Sequence, residues 1–224
     1  MNQATDDVWD VLATARAMRR FTDEPVDELT LGRCLEAATW APSGGNVQHW
    51  RFIVLDSPEM RAVVQQAADA ALKVIEPIYG MKRQAADDNS RNARRDRATY
   101  ELHDRAGQRT SVLFVAFHNE FASDFLQGAS IFPAVQNFYL AARAQGLGAC
   151  PTSWAAYGGE QLMRQAIGIP DQWVLAGHIV VGWPRGHFGP VRRRPVSDVV
   201  FHNSWDPDRA DIIYGAGARP EPRG

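Results

Sequence analysis

The chain has 224 residues, 45% of them hydrophobic, and a formal net charge of −2 at pH 7. That length suits one large domain with an ordinary core, and the near-neutral charge gives no reason to expect a nucleic-acid partner. No apolar stretch approaches the roughly 20 residues needed to cross a bilayer, and the polar, acidic start lacks a signal-peptide pattern. We therefore expect a cytoplasmic protein with no membrane partner. The two cysteines, Cys34 and Cys150, match no metal spacing and indicate reduced core thiols.

The periodicity of apolar residues predicts helices that separate short strands along the chain. The predicted helices are, in chain order, 8–16, 27–41, 58–74, 128–145 and 159–167. The predicted strands are 52–55, 111–117, 149–152 and 175–182. Pro133 is expected in the first turn of the fourth helix, with Gly146 and Gly148 as left-handed caps beyond its end. Helices dominate this pattern, which predicts an α+β or mixed α/β domain.

Residues 82–105 differ from their surroundings, because half of them are charged and few are apolar. A solvated helical excursion is the favoured interpretation, and a mobile lid over a pocket is the functional alternative. The whole chain, residues 1–224, is predicted to form one domain that includes this excursion and ends in an extended tail from about residue 201.

The stretch 41–50, A-P-S-G-G-N-V-Q-H-W, lies between a predicted helix and a predicted strand. Pro42 disfavours helical geometry before it, while Gly44 and Gly45 allow positive φ. Its hydrogen-bonding side chains are Ser43, Asn46, Gln48 and His49. The stretch is either a turn that satisfies its own backbone or a loop placed to bind a ligand.

No catalytic constellation is present: the sequence has no G-x-S-x-G elbow, no Walker loop and no H-E-x-x-H motif. The six histidines are scattered, so a metal site is not expected, and His178 reads as a satisfied core residue. Any enzyme built from this chain would need a cofactor to carry its reaction. Arginine clusters at 16–20 and 192–194 are either solvated helix caps or binding sites for an anionic cofactor.

Four blocks together resemble the FMN-dependent nitroreductase family. They are R-A-M-R-R-F at 16–21, the stretch 41–50, the helical block 128–148, and V-V-G-W-P at 180–184 followed by R-R-R-P-V. The resemblance implies an α+β fold with a nitroreductase-like central mixed sheet surrounded by helices. It also implies an intertwined homodimer with FMN at the subunit interface.

The same resemblance implies a set of cofactor-binding residues, while the chemistry is carried by N5 of FMN and by no catalytic side chain. Those expected at the phosphate are Arg16, Ala17, Arg19 and Arg193 or a neighbour in its triplet. Those expected at the ribityl chain and pyrimidine edge are Ser43, Asn46 and Gln48. Those expected beside the isoalloxazine ring are Pro151, Thr152, Ser153 and Trp154, one of which donates a backbone N–H to N5.

The implied activity is transfer of electrons from NADH or NADPH through FMN to a small oxidised acceptor, such as a nitroaromatic or a quinone. Alternatives are other flavin chemistry, namely dehalogenation or flavin fragmentation, and a flavin-binding protein without turnover. Two positions depart from the family pattern. His49 replaces a proline, and Ser153-Trp154 replaces Glu-Gly, so that a bulky Trp154 is expected to narrow access to the ring.

Overall fold

The computed structural model describes residues 4–118, 124–201, 203 and 205. The chain divides after Phe188 into two compact units. The first contains the helices α1 to α6 and the strands β1 to β4. Its helices are α1 Val8–Thr14, α2 Glu28–Thr39, α3 Pro58–Tyr79, α4 Arg91–Asp104, α5 Asp124–Ala144 and α6 Glu160–Ile167. Its strands are β1 Trp50–Leu55, β2 Thr110–Phe117, β3 Gly148–Thr152 and β4 Trp173–Gly182.

The four strands form one sheet in the order β1-β2-β4-β3, and each neighbouring pair is antiparallel. Trp50 of β1 lies opposite Ala116 of β2, whereas Thr110 at the other end of β2 lies opposite Val181 of β4. A single parallel bridge, from Ala17 to Ala149, extends the sheet beyond β3. The predicted α+β fold with a central sheet surrounded by helices is confirmed.

Local sequence explains where the helices begin. The Asp27 carboxylate accepts from the backbone N–H of Thr30 at 2.8 Å and caps α2. Ser57 accepts from the N–H of Met60 at 3.2 Å and caps α3, whose first residue is Pro58. Both starts agree with the sequence prediction to within a residue.

Apolar side chains fill both faces of the sheet, so the core has two layers. On one face, Leu113 and Val180 pack in a cluster with side chains of α3, α4 and α6, among them Val64, Leu102 and Met163. The residues that form the layer on the other face include Val112, Phe114 and Ile179 from the sheet, Cys34 and Ala38 from α2, and Ile131, Ala134 and Phe138 from α5. Strand β2 is therefore buried on both sides, as its continuous apolar run predicts, whereas the other strands are buried only in part.

Several predicted boundaries are wrong. Helix α1 ends at Thr14 because Ala15 is extended, with ψ 114°, and the chain then runs along β3. Helix α3 continues through Pro77 to Tyr79, since a proline in a last turn costs only local hydrogen bonding. Pro133 lies inside α5 because that helix begins at Asp124.

Gly148 is also placed differently, as the first residue of β3, whereas Gly146 has the predicted positive φ of 82°. A Cβ at Gly148 would lie 3.0 Å from the Cβ atoms of Met18 and Pro184. Residues 16–21, called here the arginine-bearing segment, pack closely against β3. This packing, and not a left-handed turn, requires a glycine at position 148.

The charged excursion is helical, as predicted, but one face of α4 is buried and includes Tyr100 and Leu102. The Tyr100 hydroxyl donates to the Glu76 carboxylate of α3 at 2.8 Å. Arg83 forms a bidentate pair with Asp104, with distances of 2.6 and 2.7 Å. The excursion is thus attached to α3, and its function as a lid stays a prediction.

The second unit contains a short 3₁₀ turn, Val196–Asp198, and a ring contact of 5.1 Å between Phe201 and Trp205. Most of the tail predicted from residue 201 lies outside the described residues, and the single domain over 1–224 stays a prediction. Within the described part of the chain, no helix is both long and apolar enough to span a membrane.

Candidate functional site

The arginine-bearing segment lies at the β3 edge of the sheet. Ala17 forms the parallel bridge to Ala149, and the backbone N–H of Met18 donates to the Ala149 carbonyl at 3.0 Å. Arg16 is exposed and Arg19 is half-buried on this fixed backbone. The segment is therefore an extension of the sheet and not the end of a helix, so the negative end of a helix dipole does not oppose an anion here.

The guanidinium groups around Arg19 differ in whether they are neutralised. Glu101 of α4 pairs with Arg20 at 3.1 Å and also with Arg185. Asp23 pairs with Arg105 and, at 3.0 Å, with Arg109. By contrast, the side chains of Arg16 and Arg19 form no ion pair with any residue that the structure describes. Two guanidinium groups are thus available to an anionic ligand, and a guanidinium matches the geometry of a phosphate or a carboxylate bidentately.

Residues 151–154 lie along the same edge, where β3 ends. Ala149 and Thr152 are three strand residues apart, which is about 10 Å. Ser153 is exposed, and its carbonyl accepts from the backbone N–H of Tyr157 at 3.1 Å. Arg16, Ala17, Arg19 and residues 151–154 therefore form one continuous edge, called here the β3-edge half-site.

Trp154 does not cover this edge. Its side chain is 2% exposed, and its indole lies between the rings of His103 and His178, with centroids 5.2 Å from each. Its Nε1–H donates to Nε2 of His103 at 3.3 Å. The expectation that the bulk of Trp154 narrows access to a bound ring is wrong, because the indole packs into the core.

The two histidines are buried and uncharged. Burial lowers the pKa of His178 to about 3. Burial also lowers the pKa of His103, although the Ala68 carbonyl, 3.0 Å from its Nδ1, acts in the opposite direction. His178 was expected to be a satisfied core residue, but only its Nδ1 has a partner, the Thr152 hydroxyl at 2.7 Å. Nothing in the sequence predicts this contact.

Cys150 lies beneath the same edge. Burial raises the pKa of its thiol to about 11, and the charge of Arg19 acts against that rise only in part. Burial likewise raises the pKa of Cys34 to about 12. Both thiols are therefore protonated near neutral pH and are core residues, as predicted, rather than nucleophiles.

The stretch 41–50 forms an exposed loop at the opposite edge. Its centre is a 3₁₀ turn, Gly44–Asn46, and the Ser43 hydroxyl accepts from the backbone N–H of Gln48 at 3.1 Å. The Gln48 side-chain amide donates to Asn46 Oδ1 at 3.1 Å. Asn46 and Gln48 have φ values of 54° and 51°, in the left-handed region that costs a side-chain-bearing residue on the order of 1 kcal/mol. We call this loop, with Ser43, Asn46 and Gln48, the loop half-site.

Space is available beside the loop. A Cβ at Gly44 would meet nothing within 4 Å, and one at Gly45 would meet only Val47, at 3.8 Å. Packing within this chain therefore does not require Gly44. His49 is exposed, with its carbonyl accepting from the Phe117 N–H at 3.1 Å and its ring edge-on to that of Phe117 at 5.4 Å. Its role is to close the loop onto β2.

The two half-sites lie far apart within one chain. The loop precedes β1 and lies beside Ala116, whereas Ala149 lies in register with Val181 and thus near Thr110. The six residues of β2 between these levels span about 20 Å, and three strand spacings separate β1 from β3 by about 14 Å. The resulting diagonal from the loop is about 25 Å to Ala149 and about 17 Å to Thr152, which lies level with Leu113.

Arg193 belongs to the second unit, where its guanidinium donates to the Arg192 carbonyl at 2.9 Å. Its place at a phosphate stays a prediction.

The contributions of Glu101 and Asp23, which neutralise four neighbouring arginines, were missed by sequence reasoning because their partners are distant along the chain.

The described part of the chain thus has an antiparallel sheet between two helical layers, with two arginines at its β3 edge that form no ion pair there. The sequence model of the nitroreductase family matches residues 12–183. The chain therefore belongs to the nitroreductase family.

Similar proteins agree with this assignment. The chain is 30% identical over 184 residues to the 5,6-dimethylbenzimidazole synthase of Rhodospirillum rubrum, covering 76% of this chain and 78% of that protein. It is 28% identical over 208 residues to an NADH dehydrogenase of Thermus thermophilus, covering 89% and 98%. The solved FMN and NADPH-dependent nitroreductase NfnB from Sphigopyxis sp. strain HMH superposes with a TM-score of 0.64 at 24% identity, covering 88% and 98%. At these levels of identity, the solved structure shows a common fold.

Proposed function

We propose that this protein is an FMN-dependent oxidoreductase that takes electrons from NADH or NADPH and passes them to a small oxidised acceptor. The observation that carries the proposal is the presence of two unneutralised arginines, Arg16 and Arg19, beside the end of β3. Membership of the nitroreductase family supports FMN as the ligand, as does the fold shared with an FMN and NADPH-dependent enzyme.

The residues present fit such a cofactor. Arg16 and Arg19 hold the phosphate by charge-assisted hydrogen bonds, and residues 151–154 support the ring about 10 Å further along β3. Bound FMN supplies the hydride chemistry, while the protein binds it, orients it and excludes water. No acid or base of the chain is needed, in keeping with two core thiols and two neutral buried histidines.

We further propose that the site is completed by a second copy of the chain. Within one chain the loop half-site lies about 25 Å from Ala149, beside which Arg16 and Arg19 lie, and about 17 Å from Thr152, which supports a loop supplied to each FMN by the partner subunit. Exposed apolar side chains on three helices support such an interface. They are Trp9, Leu12, Leu29, Trp40, Leu126 and Phe132.

Three measurements test the proposal. Purified protein is expected to be yellow and to release FMN on denaturation, and sedimentation is expected to show a dimer. Rapid anaerobic mixing with NADH, and separately with NADPH, is expected to bleach the flavin absorbance. A protein that neither carries nor takes up FMN contradicts the cofactor assignment, and bound flavin that no donor bleaches contradicts the electron transfer.

The phosphate assignment has its own test. Arg19→Ala is expected to weaken FMN binding by roughly tenfold to a hundredfold, because a hydrogen bond to a charged group contributes about 1.5–3 kcal/mol. Arg33→Ala is a matched control, since Arg33 is exposed on α2 and belongs to neither half-site. Equal FMN affinity in the two variants would show that Arg19 does not hold the phosphate.

A second candidate function is supported by the relative from Rhodospirillum rubrum, which is a 5,6-dimethylbenzimidazole synthase. In that case the flavin itself is the substrate and is consumed. The assay is a mass balance of total flavin during aerobic incubation with NADH or NADPH. Constant flavin with continuing oxidation of the donor supports the reductase, and stoichiometric loss of flavin supports the alternative.

A further inference from the structure

A hydrogen-bonded pair of side chains lies at the boundary between the core and the β3-edge half-site. Thr152 is the last residue of β3, and His178 is its register partner on β4. Thr152 Oγ1 lies 2.7 Å from His178 Nδ1. Thr152 is half-buried, whereas His178 is 1% exposed. The pair thus connects the interior with the surface where a ligand is expected.

The other ring nitrogen of His178 indicates which tautomer is present. Its Nε2 is buried and has no hydrogen-bond partner among the described residues. A buried N–H without an acceptor is rarer in proteins than a buried acceptor without a donor, so the proton belongs on Nδ1. The Nδ1–H group of His178 therefore donates a hydrogen bond to Thr152 Oγ1. Because burial also lowers the pKa of the ring to about 3, the ring stays neutral at ordinary pH.

The adjacent histidine has the same tautomer for an independent reason. His103 Nε2 accepts from the Trp154 indole N–H, so its proton must be on Nδ1, 3.0 Å from the Ala68 carbonyl. Trp154 contacts both rings. The donor and the acceptor are therefore assigned in both hydrogen bonds beneath residues 151–154: Trp154 donates to His103, and His178 donates to Thr152. The Thr152 hydroxyl oxygen therefore accepts a hydrogen bond from His178, and its own O–H is left to donate to a different partner. No other described residue accepts from its hydroxyl.

From this geometry we infer that His178 holds the Thr152 hydroxyl as an outward-directed hydrogen-bond donor, which selects a ligand with an acceptor atom at the end of β3. The inference rests on the proposed function where that ligand is oxidised FMN, whose ring edge carries acceptor atoms. His178 is then a positioning residue and Thr152 a ligand-contacting residue. The opposite tautomer would turn the hydroxyl inward and leave only lone pairs facing the ligand.

The tautomer is tested without reference to FMN. Protein labelled with ¹⁵N-histidine is studied by long-range ¹H–¹⁵N correlation, and His178→Phe identifies the signals of the missing ring. A proton on Nδ1 is the expected result. A proton on Nε2 overturns the inference whether or not the protein binds flavin.

The role towards the ligand is tested with four variants of the full chain. Thr152→Val and His178→Phe are each expected to raise the Kd of oxidised FMN about threefold to tenfold, the range of a neutral hydrogen bond. The double variant is expected to bind no more weakly than Thr152→Val, because both changes remove one interaction. Thr152→Ser keeps the hydroxyl and is expected to bind within about twofold of the original protein. Thr39→Val serves as a control, since the Thr39 hydroxyl donates to the Glu36 carbonyl of α2.

The reduction potential of bound FMN separates this role from a structural one. Because N5 of the flavin accepts a hydrogen bond when oxidised and carries a hydrogen when reduced, a donor to N5 favours the oxidised ring, and Thr152→Val is then expected to raise the two-electron potential by about 14–30 mV, which is the same threefold to tenfold change. An unchanged affinity and potential in Thr152→Val, or additive losses in the double variant, overturn the inference. A parent protein that binds no FMN overturns the proposed function and the flavin as ligand, while the tautomer is still decided by the nitrogen spectrum.

Discussion

Acid should destabilise this protein through His178 more than through an average histidine. Burial lowers the pKa of this ring from 6.5 to about 3, so the folded state keeps it neutral while the unfolded chain protonates below about pH 6.5. Between those values the unfolded state binds one more proton than the folded state. The free energy of unfolding therefore falls as pH falls, by up to about 1.4 kcal/mol per pH unit, and the contribution is fully present only above about pH 6.5.

From pH 7 to pH 5 this single group accounts for a loss of about 2 kcal/mol. Urea unfolding at fixed protein and FMN concentrations measures it, with His178→Phe as the comparison because phenylalanine keeps the ring and cannot be protonated. The variant is expected to lose about 2 kcal/mol less over that interval. His187→Asn controls for an exposed histidine and should follow the parent protein. Superimposable pH dependences of the parent protein and His178→Phe would refute the reasoning.

Two packing predictions accompany this one. Gly148→Ala is expected to lower the free energy of unfolding by about 1–3 kcal/mol, because the added Cβ lies 3.0 Å from Met18 and Pro184. Gly32→Ala, at a position of α2 where an added Cβ meets nothing within 4 Å, is expected to raise the free energy of unfolding by up to about 1 kcal/mol. Thermal unfolding of the pair measures both, and equal melting temperatures would contradict the packing argument. Trp154→Phe is expected to cost about 1–3 kcal/mol in denaturant unfolding, because it leaves buried His103 without its donor. Trp205→Phe, at a side chain 87% exposed, should be within about 0.5 kcal/mol of the parent, and similar losses in both would contradict the buried hydrogen bond.

The fold was predictable from the sequence because its signals are local. Alternation of apolar runs with capped helices predicted the strands and helices, and Asp27 and Ser57 act as the caps that their sequence context indicates. The errors arise where tertiary packing outweighs local preference. Pro77 is tolerated in the last turn of α3, where Ile75, two positions earlier, remains buried in the core.

The candidate site was predictable only in part. Arg16 and Arg19 were recognisable from a motif. That they lack a carboxylate partner among the described residues depends on the fold, because Glu101 and Asp23 pair with other arginines. The burial of Trp154 between two histidines reverses an expectation based on residue size alone. Such outcomes depend on contacts between residues dozens of positions apart, which single-sequence patterns do not contain.

The separation of the two half-sites on opposite edges of the sheet has a genetic consequence in a dimer of the proposed kind. A chain damaged in its loop, for instance at Asn46, and a chain damaged at Arg19 would each be inactive alone. Paired together, they place both defects in one site and leave the other site intact. Random co-assembly of equal amounts would restore about a quarter of all sites, so two null alleles would complement each other.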